Sequence, residues 1–228
     1  MKQITFFVLL ACLCTCVRSN AQKSTIILSI EGAPSVRWLT DNSNFITYQK
    51  PIPVLGFYGG ITAQIPFSKV WSLVTGIGFE RKGNALKSEE TDFNGAILGT
   101  EYFYFNNDYW TMPVLVRASF GNKIKYFFNA GFYYGYLGAS NLKIDRVDKS
   151  QNAPTLINNK STMNSNDFGF SIGGGIRIKI APKWTIPIEI RSNHGLVNTA
   201  KGPTIDNANI RTNATHLIVG LSYEFGKP

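Results

Sequence analysis

Apolar and polar residues alternate strictly along the last segment of the chain, from Thr215 to Phe225. One face of this segment carries Leu217, Val219, Leu221, Tyr223 and Phe225, and the other carries His216, Ile218, Gly220, Ser222 and Glu224. A period of two is that of a β-strand, in which successive side chains point to opposite faces. The pattern therefore predicts a strand with one apolar side.

Seven further segments show the same period, and turn residues separate them. Together with the terminal segment they predict eight strands, near residues 25–38, 52–65, 69–83, 101–120, 123–138, 166–181, 183–196 and 212–226. The sixth is the clearest, because Phe168, Phe170 and Ile172 share one face while Arg177 and Lys179 lie on the other. A strand of this kind has one side suited to lipid and one suited to a polar interior.

The connections between these strands alternate in length. Tight turns follow strands two, four and six, whereas long polar stretches lie near 39–51, 84–100, 139–165 and 197–211. Short turns at one rim and long loops at the other are typical of outer-membrane barrels, whose short turns face the periplasm. The sequence thus predicts an all-β fold, an eight-stranded antiparallel up-and-down transmembrane β-barrel.

The N-terminus has the parts of a secretory signal peptide. Lys2 precedes an apolar run, and a small-residue cleavage site ends at Ala21. We therefore predict a signal peptide over residues 1–21, a barrel domain over residues 22–228 and a location in the bacterial outer membrane.

All three cysteines lie inside the predicted signal peptide. The mature chain would then have no disulfide and no thiol nucleophile. One alternative stays open, because Leu9-Leu10-Ala11-Cys12 resembles a lipoprotein box. In that case Cys12 would be lipidated and become the new N-terminus.

The chain is basic, with a formal net charge of +9 that falls to +7 when Lys2 and Arg18 leave with the signal peptide. No Lys/Arg cluster with interleaved aromatic residues stands out, so the sequence favours no nucleic-acid partner. We expect the basic side chains to fill the barrel interior or to contact outer-membrane lipid and the anionic head groups of lipopolysaccharide.

The polar faces of the strands become the lumen. A barrel of eight strands is just wide enough for side chains to fill it, so opposite charges are expected to pair there instead of lining water. The predicted lumen charge network consists of Glu31, Glu80, Lys82, Arg117, Lys125, Arg177, Lys179, Glu189, Arg191 and Glu224. His216 also faces the lumen by parity, with Glu224 or Glu189 as its expected partner.

The densest aromatic stretch precedes the fourth predicted strand. If strands three and four extend above the membrane, these residues form a hairpin able to hold a peptide, a glycan or a partner protein. The simpler interpretation, which we prefer, is a strand start within an aromatic girdle at the membrane surface. The candidate interaction residues are Tyr102, Phe103, Tyr104, Phe105 and Tyr109.

Ser192 and His194 are weak candidates for catalysis. They lie two residues apart, hence on one strand face, and parity turns that face toward lipid. A hydroxyl beside an imidazole can transfer acyl chains if a carboxylate orients the histidine, but no acid lies nearby on the same face. With two histidines and no cysteine in the mature chain, the sequence predicts no metal site and no cofactor.

Several short segments resemble the PorT-like outer-membrane barrel proteins of Bacteroidetes. They are Ile65-Pro66-Phe67-Ser68-Lys69, Gly76 to Gly83, Tyr109 to Arg117, Asn129-Ala130-Gly131, Asp167-Phe168-Gly169, and Arg191 with Gly195-Leu196-Val197-Asn198. Thr111 stands where that family usually has Glu. The resemblance implies an eight-stranded barrel in the outer membrane, and some members of the family are tied to protein secretion or gliding machinery.

The sequence therefore predicts a non-enzymatic outer-membrane barrel with a side-chain-filled lumen. Its long loops are expected to contact lipopolysaccharide, surface ligands or a secretion or envelope partner. Three alternatives remain: a lipid A-modifying hydrolase using Ser192 and His194, a small porin-like solute channel, and a soluble exported barrel with an apolar interior. The last requires apolar residues in the lumen and charges outside.

Overall fold

The computed structural model describes residues 25–40, 51–94, 97–122, 124–147, 154–202 and 208–226. The predicted signal peptide and Cys12 lie outside these residues, so both stay predictions. Parts of all four predicted long loops also lie outside them.

The described residues form ten β-strands in one antiparallel sheet. The strands are β1 (Ile26–Thr40), β2 (Pro51–Ile52), β3 (Val54–Pro66), β4 (Trp71–Thr91), β5 (Ile97–Phe120), β6 (Ile124–Val147), β7 (Thr155–Asn158), β8 (Asn166–Lys179), β9 (Trp184–Gly195) and β10 (Arg211–Phe225). Eight of them pair in the order β3, β1, β10, β9, β8, β6, β5 and β4, and β4 pairs with β3 to close the ring. The predicted eight-stranded antiparallel barrel is confirmed.

The two remaining strands are short additions to this ring. β2 pairs with the end of β4, and β7 pairs with the end of β6. A 3₁₀ turn, Lys160–Thr162, follows β7. Among the described residues, no helix has the length and apolarity needed to cross a membrane.

The two faces of the barrel wall differ sharply in polarity. Outward side chains are apolar and exposed, as with Ile30 at 68% and Leu55 at 78%. Inward side chains are polar and buried, and Glu80 and Lys82 are 0% exposed. Charged residues are almost never fully buried unless they are paired. This arrangement is the reverse of the one that a soluble barrel around an apolar ligand requires.

Three tight turns close one rim of the barrel. In the turn between β3 and β4, the Ser68 hydroxyl accepts hydrogen bonds from the backbone N–H groups of Val70 and Trp71. Between β5 and β6, Gly121 has φ +98°, a backbone conformation that residues other than glycine rarely adopt. Between β8 and β9, Ala181 and Trp184 exchange backbone hydrogen bonds of 3.3 and 3.2 Å. The rim with these turns is the periplasmic side in barrels of this kind.

Three strands extend well past the opposite rim. β3 leaves β4 after the pair Tyr58–Glu80, and β8 leaves β6 after Tyr136–Asn166. Beyond these pairs, β4, β5 and β6 stay paired with one another for about ten residues, or roughly 30 Å of strand. We call this part, residues 84–91, 97–106 and 139–147 with β2 and β7, the outer extension.

The outer extension corrects the predicted strand ends. Residues 84–91 and 139–147 were expected to be loops but are strands. Two irregularities mark the transition: Gly83 has φ +122°, and the pairing of β5 with β6 shifts between Asp108 and Tyr109. A bulge of this kind redirects a strand without ending its pairing.

A substitution at Gly76 tests the close approach of β3 and β4. A Cβ at this position would lie 2.2 Å from the carbonyl oxygen of Ile61, which is backbone and cannot move aside. We expect Gly76→Ala to lower the free energy of unfolding by roughly 1–3 kcal/mol because of overpacking. The measurement is the urea midpoint of the folded, heat-modifiable gel band.

Gly32→Ala is the matched control, because a Cβ there meets nothing within 4 Å. Its urea midpoint should stay within error of the wild type. Equal midpoints for the two variants would contradict the predicted packing of β3 on β4.

Candidate functional site

Glu189 on β9 holds together the half of the lumen nearer the tight turns. Its carboxylate accepts hydrogen bonds from Arg117 Nη2 at 3.0 Å, from Asn129 Nδ2 at 2.7 Å and from Arg191 Nε at 2.6 Å. Arg191 Nη2 also lies 3.6 Å from Glu31 Oε2. Two guanidinium groups and two carboxylates thus neutralise one another in the buried lumen.

Gln64 on β3 carries this network to the opposite wall. Its amide oxygen accepts hydrogen bonds from Arg117 Nη1 at 3.2 Å and from Arg177, and its nitrogen donates to Ser72 at 2.9 Å. β3 and β8 are four strands apart in a ring of eight. The contact between Gln64 and Arg177 therefore crosses the full width of the barrel.

A second buried layer lies nearer the outer rim, around Lys82 on β4. Its ammonium lies 2.9 Å from Asp167 Oδ2 and 4.0 Å from the centre of the Tyr133 ring. Asp167 also accepts hydrogen bonds from the hydroxyls of Tyr133 and Thr212. The cation is thus held by a carboxylate and by an aromatic face.

Glu80, two residues before Lys82, completes this outer layer. Its carboxylate lies 3.0 Å from His216 Nε2 and accepts a hydrogen bond of 3.2 Å from Asn193 Nδ2. β4 and β9 are also four strands apart in the ring. Hydrogen bonds therefore cross the lumen at two levels.

The ten residues predicted to form the lumen charge network fall into a buried group and a group exposed at the mouth of the barrel. Seven are buried, namely Glu31, Glu80, Lys82, Arg117, Arg177, Glu189 and Arg191. Lys125, Lys179 and Glu224 face inward but are exposed at the mouth with the tight turns. They do not join the buried network, because they lie at the ends of their strands. The expected partner of His216 was also wrong, since it is Glu80.

The sequence reasoning missed the partners that complete the network. Asn129 and Asn193 are neutral, so a search for charges passed over them. Asp167 and Tyr133 lie on inward positions of β8 and β6. Period-two parity identifies all four as inward, but only the register shows which charge each one meets.

The outer extension holds four of the five predicted aromatic interaction residues. Tyr102 and Tyr104 stack with ring centres 6.2 Å apart, and Lys143 Nζ lies 5.6 Å from the centre of the Tyr104 ring. Phe103 and Phe105 are half-buried in the same strand. Tyr109 was placed wrongly, because it is buried in the lumen with its ring centre 5.7 Å from Lys82 Nζ.

Charged pairs surround the stacked tyrosines. Lys143 contacts Asp145 at 3.0 Å, and Lys87 donates a hydrogen bond to Glu89. This hydrogen bond raises the pKa of the Lys87 ammonium. All four charged side chains are about 40% exposed. The face thus offers two flat rings and hydrogen-bonding groups of both signs.

Ser192 and His194 lie on the outer surface of β9 and contact each other. Ser192 Oγ is 3.0 Å from His194 Nε2 and 2.9 Å from Thr215 Oγ1. The imidazole stacks on Phe170 at 4.8 Å and meets the edge of Trp38 at 6.2 Å. The described residues place no carboxylate against this imidazole. They also contain no group of three or more His, Cys, Asp or Glu that could hold a metal ion.

A closed antiparallel ring, an apolar outer wall and a lumen of paired charges define a small outer-membrane β-barrel. The sequence matches the family described as "Outer membrane protein beta-barrel domain" over residues 20–201. The chain belongs to this family, and its location is the bacterial outer membrane.

The fold is similar to those of several solved barrels. Ail of Yersinia pestis shows 11% identity and a TM-score of 0.38, with 90% of this chain and 100% of that chain covered. Neisserial surface protein A shows 13% identity and a TM-score of 0.41, with 88% of this chain and 97% of that chain covered. A major outer membrane protein of Thermus thermophilus shows 11% identity and a TM-score of 0.45, with 88% of this chain and 99% of that chain covered. No curated protein sequence matches the chain.

Glu189→Ala should destabilise the barrel strongly. The substitution leaves Arg117 and Arg191 buried without their shared carboxylate, which typically costs about 3–5 kcal/mol. We expect a large fall in the urea midpoint of the folded band in detergent micelles.

The control removes one member of an exposed pair. Lys143→Ala breaks the contact with Asp145, a loss of roughly 0–1 kcal/mol. If Glu189→Ala is no more destabilising than Lys143→Ala, the buried network does not hold the lumen together.

Proposed function

We propose that the protein is a non-enzymatic outer-membrane barrel with a sealed lumen that binds ligands outside the cell through its outer extension. The observation that carries the proposal is the stacked pair Tyr102 and Tyr104, bordered by exposed charges, on strands that continue beyond the barrel. A paired sheet holds such a surface in place better than a loop does.

The sealed lumen argues against the small porin-like channel. Gln64–Arg177 and Glu80–Asn193 each join opposite walls of the barrel. A solute would have to break both contacts, as well as the ion pairs around Glu189 and Lys82. Removing one partner of a buried pair leaves an uncompensated charge, so such an opening is costly.

The chemistry of the outer extension suits a ligand with flat or polar surfaces. Aromatic rings stack on sugar or peptide groups, while Lys87 and Lys143 suit the phosphates of lipopolysaccharide. Lipopolysaccharide is therefore our first candidate ligand. A secretion or envelope protein is the second, and it is supported by the resemblance of the sequence to PorT-like barrels.

The lipid A hydrolase remains the weaker proposal. The distance of 3.0 Å between Ser192 and His194 suits a nucleophile and its base. However, Thr215 takes the second contact of the serine, and Phe170 and Trp38 cover the imidazole. A carboxylate that would orient the histidine is missing from the contacts of the described residues, and therefore we do not assign catalysis to this pair.

If the lumen is sealed as we propose, the barrel should not conduct ions across a lipid bilayer. The purified wild-type protein, incorporated into planar lipid bilayers in salt solution, should show no large and sustained conductance, because contacts cross the lumen at two levels. Stable open steps in the wild type would overturn the sealed lumen and favour the channel.

Removal of the stacked tyrosines should weaken ligand binding without unfolding the barrel. We expect the double variant Tyr102→Ala/Tyr104→Ala to bind purified lipopolysaccharide roughly tenfold more weakly, since an aromatic contact contributes about 0.5–1.5 kcal/mol. Binding is measured by surface plasmon resonance on the immobilised protein in a neutral detergent.

The matched control lies on β7 of the same extension. Leu156 and Ile157 are exposed there, and Leu156→Ala/Ile157→Ala removes two exposed apolar side chains without touching the tyrosines. This control should bind as the wild type does. If the wild type does not bind lipopolysaccharide, the first candidate ligand fails, and cross-linking in cells then tests an envelope protein with the same two variants.

A further inference from the structure

A cavity of about 140 Å³ opens at the inner mouth of the barrel, among the tight turns. Its charged lining consists of Lys125 on β6, Arg177 and Lys179 on β8, and Glu224 on β10. All four side chains lie on the inward faces of their strands. The cavity lies at the opposite end of the barrel from the outer extension.

The register places like charges against each other in this cavity. Lys125 is the direct cross-strand partner of Arg177, and Lys179 follows two residues later on the same face. Like charges directly opposite each other destabilise a sheet. The three cations therefore repel one another unless an anion lies between them.

The protein supplies too few carboxylates to neutralise this group. Glu224 is the one acidic residue in the described lining of the cavity. The nearest buried carboxylates, Glu31 and Glu189, already contact Arg191, and Glu189 also contacts Arg117. Three cations against one carboxylate leave an excess of two positive charges in the cavity.

Arg177 also has an unused hydrogen-bond donor. The residue is 5% exposed and its side chain reaches Gln64, but its Nε has no hydrogen-bond partner among the described residues. A buried donor without an acceptor destabilises the folded state. Lys125 and Lys179 likewise form no ion pair or side-chain hydrogen bond within the described part of the chain.

We propose that this cavity binds an anionic group, a phosphate or a carboxylate carried by a molecule in the periplasm. Such a group offsets the excess charge and accepts hydrogen bonds from the lysines and the guanidinium. Arg177 lines the cavity and also donates a hydrogen bond to Gln64, which belongs to the buried network that crosses the lumen. The anion therefore binds at the mouth and does not pass through the barrel.

The test is a titration of the full mature barrel in a neutral maltoside detergent, which carries no phosphate of its own. Inorganic phosphate, acetate and phosphatidylglycerol are added separately at low ionic strength, since salt screens exposed charges. The readout is the chemical shift of the backbone amides at Lys125, Arg177 and Lys179. At least one probe should give saturable shifts, and the strongest probe identifies free phosphate, carboxylate or lipid head group as the source.

Three variants locate the site. Lys125→Gln/Lys179→Gln should weaken binding of that probe at least tenfold, and Glu224→Gln should tighten it severalfold by removing the one repelling charge. Lys69→Gln is the matched control, because Lys69 is an exposed cation in a tight turn of the same rim and does not line the cavity. Its affinity should be unchanged.

Two results would overturn the proposal. One is the absence of saturable shifts with all three probes. The other is an equal loss of affinity in Lys69→Gln and in the double lysine variant, which would indicate a general effect of net charge. Heat-modifiable gel mobility of each variant shows that the barrel remains folded.

Discussion

The interior of this barrel depends on the pairing of charges that have no access to water. Glu189 shows the constraint most clearly, because its carboxylate is shared by Arg117, Arg191 and Asn129 from three strands. Each of the three charged groups, taken alone, would carry a desolvation penalty of about several kcal/mol. Paired, they link the walls of the barrel, and the positions of the strands are then fixed from inside.

Side-chain parity explains how much of this arrangement the sequence could predict. In a strand the choice between the two faces is settled by alternation alone, so the inward direction of Glu80, Lys82 and Glu189 follows from the sequence. The height of a side chain along the barrel axis does not follow from alternation. Lys125, Lys179 and Glu224 have the same parity but lie at the mouth, and pairing depends on the register of strands distant in sequence.

The strands of the outer extension were not predicted from the sequence, for a related reason. Alternation is strong where one face meets lipid and the other meets a polar lumen, because the two environments select different residues. Past the rim that contrast ends, so residues 84–91 have the composition of a loop although they are paired with β5. Tyr109 lies inside the barrel because it shares the inward parity of Thr111 on β5, whereas Tyr102 and Tyr104 have the opposite parity and lie on the extension.

The two layers of the lumen also differ in charge, and this difference bears on what each end of the barrel can do. In the outer layer Lys82 and His216 face Glu80 and Asp167, so the carboxylates are matched by nearby groups. In the inner layer Arg177 forms no ion pair among the described residues, and Glu31 and Glu189 are engaged by Arg117 and Arg191. The surplus of positive charge therefore lies on the periplasmic side. Contacts that cross the lumen at two levels lie between the outer extension and the inner cavity, and we therefore propose that each end binds its ligands from its own side of the membrane.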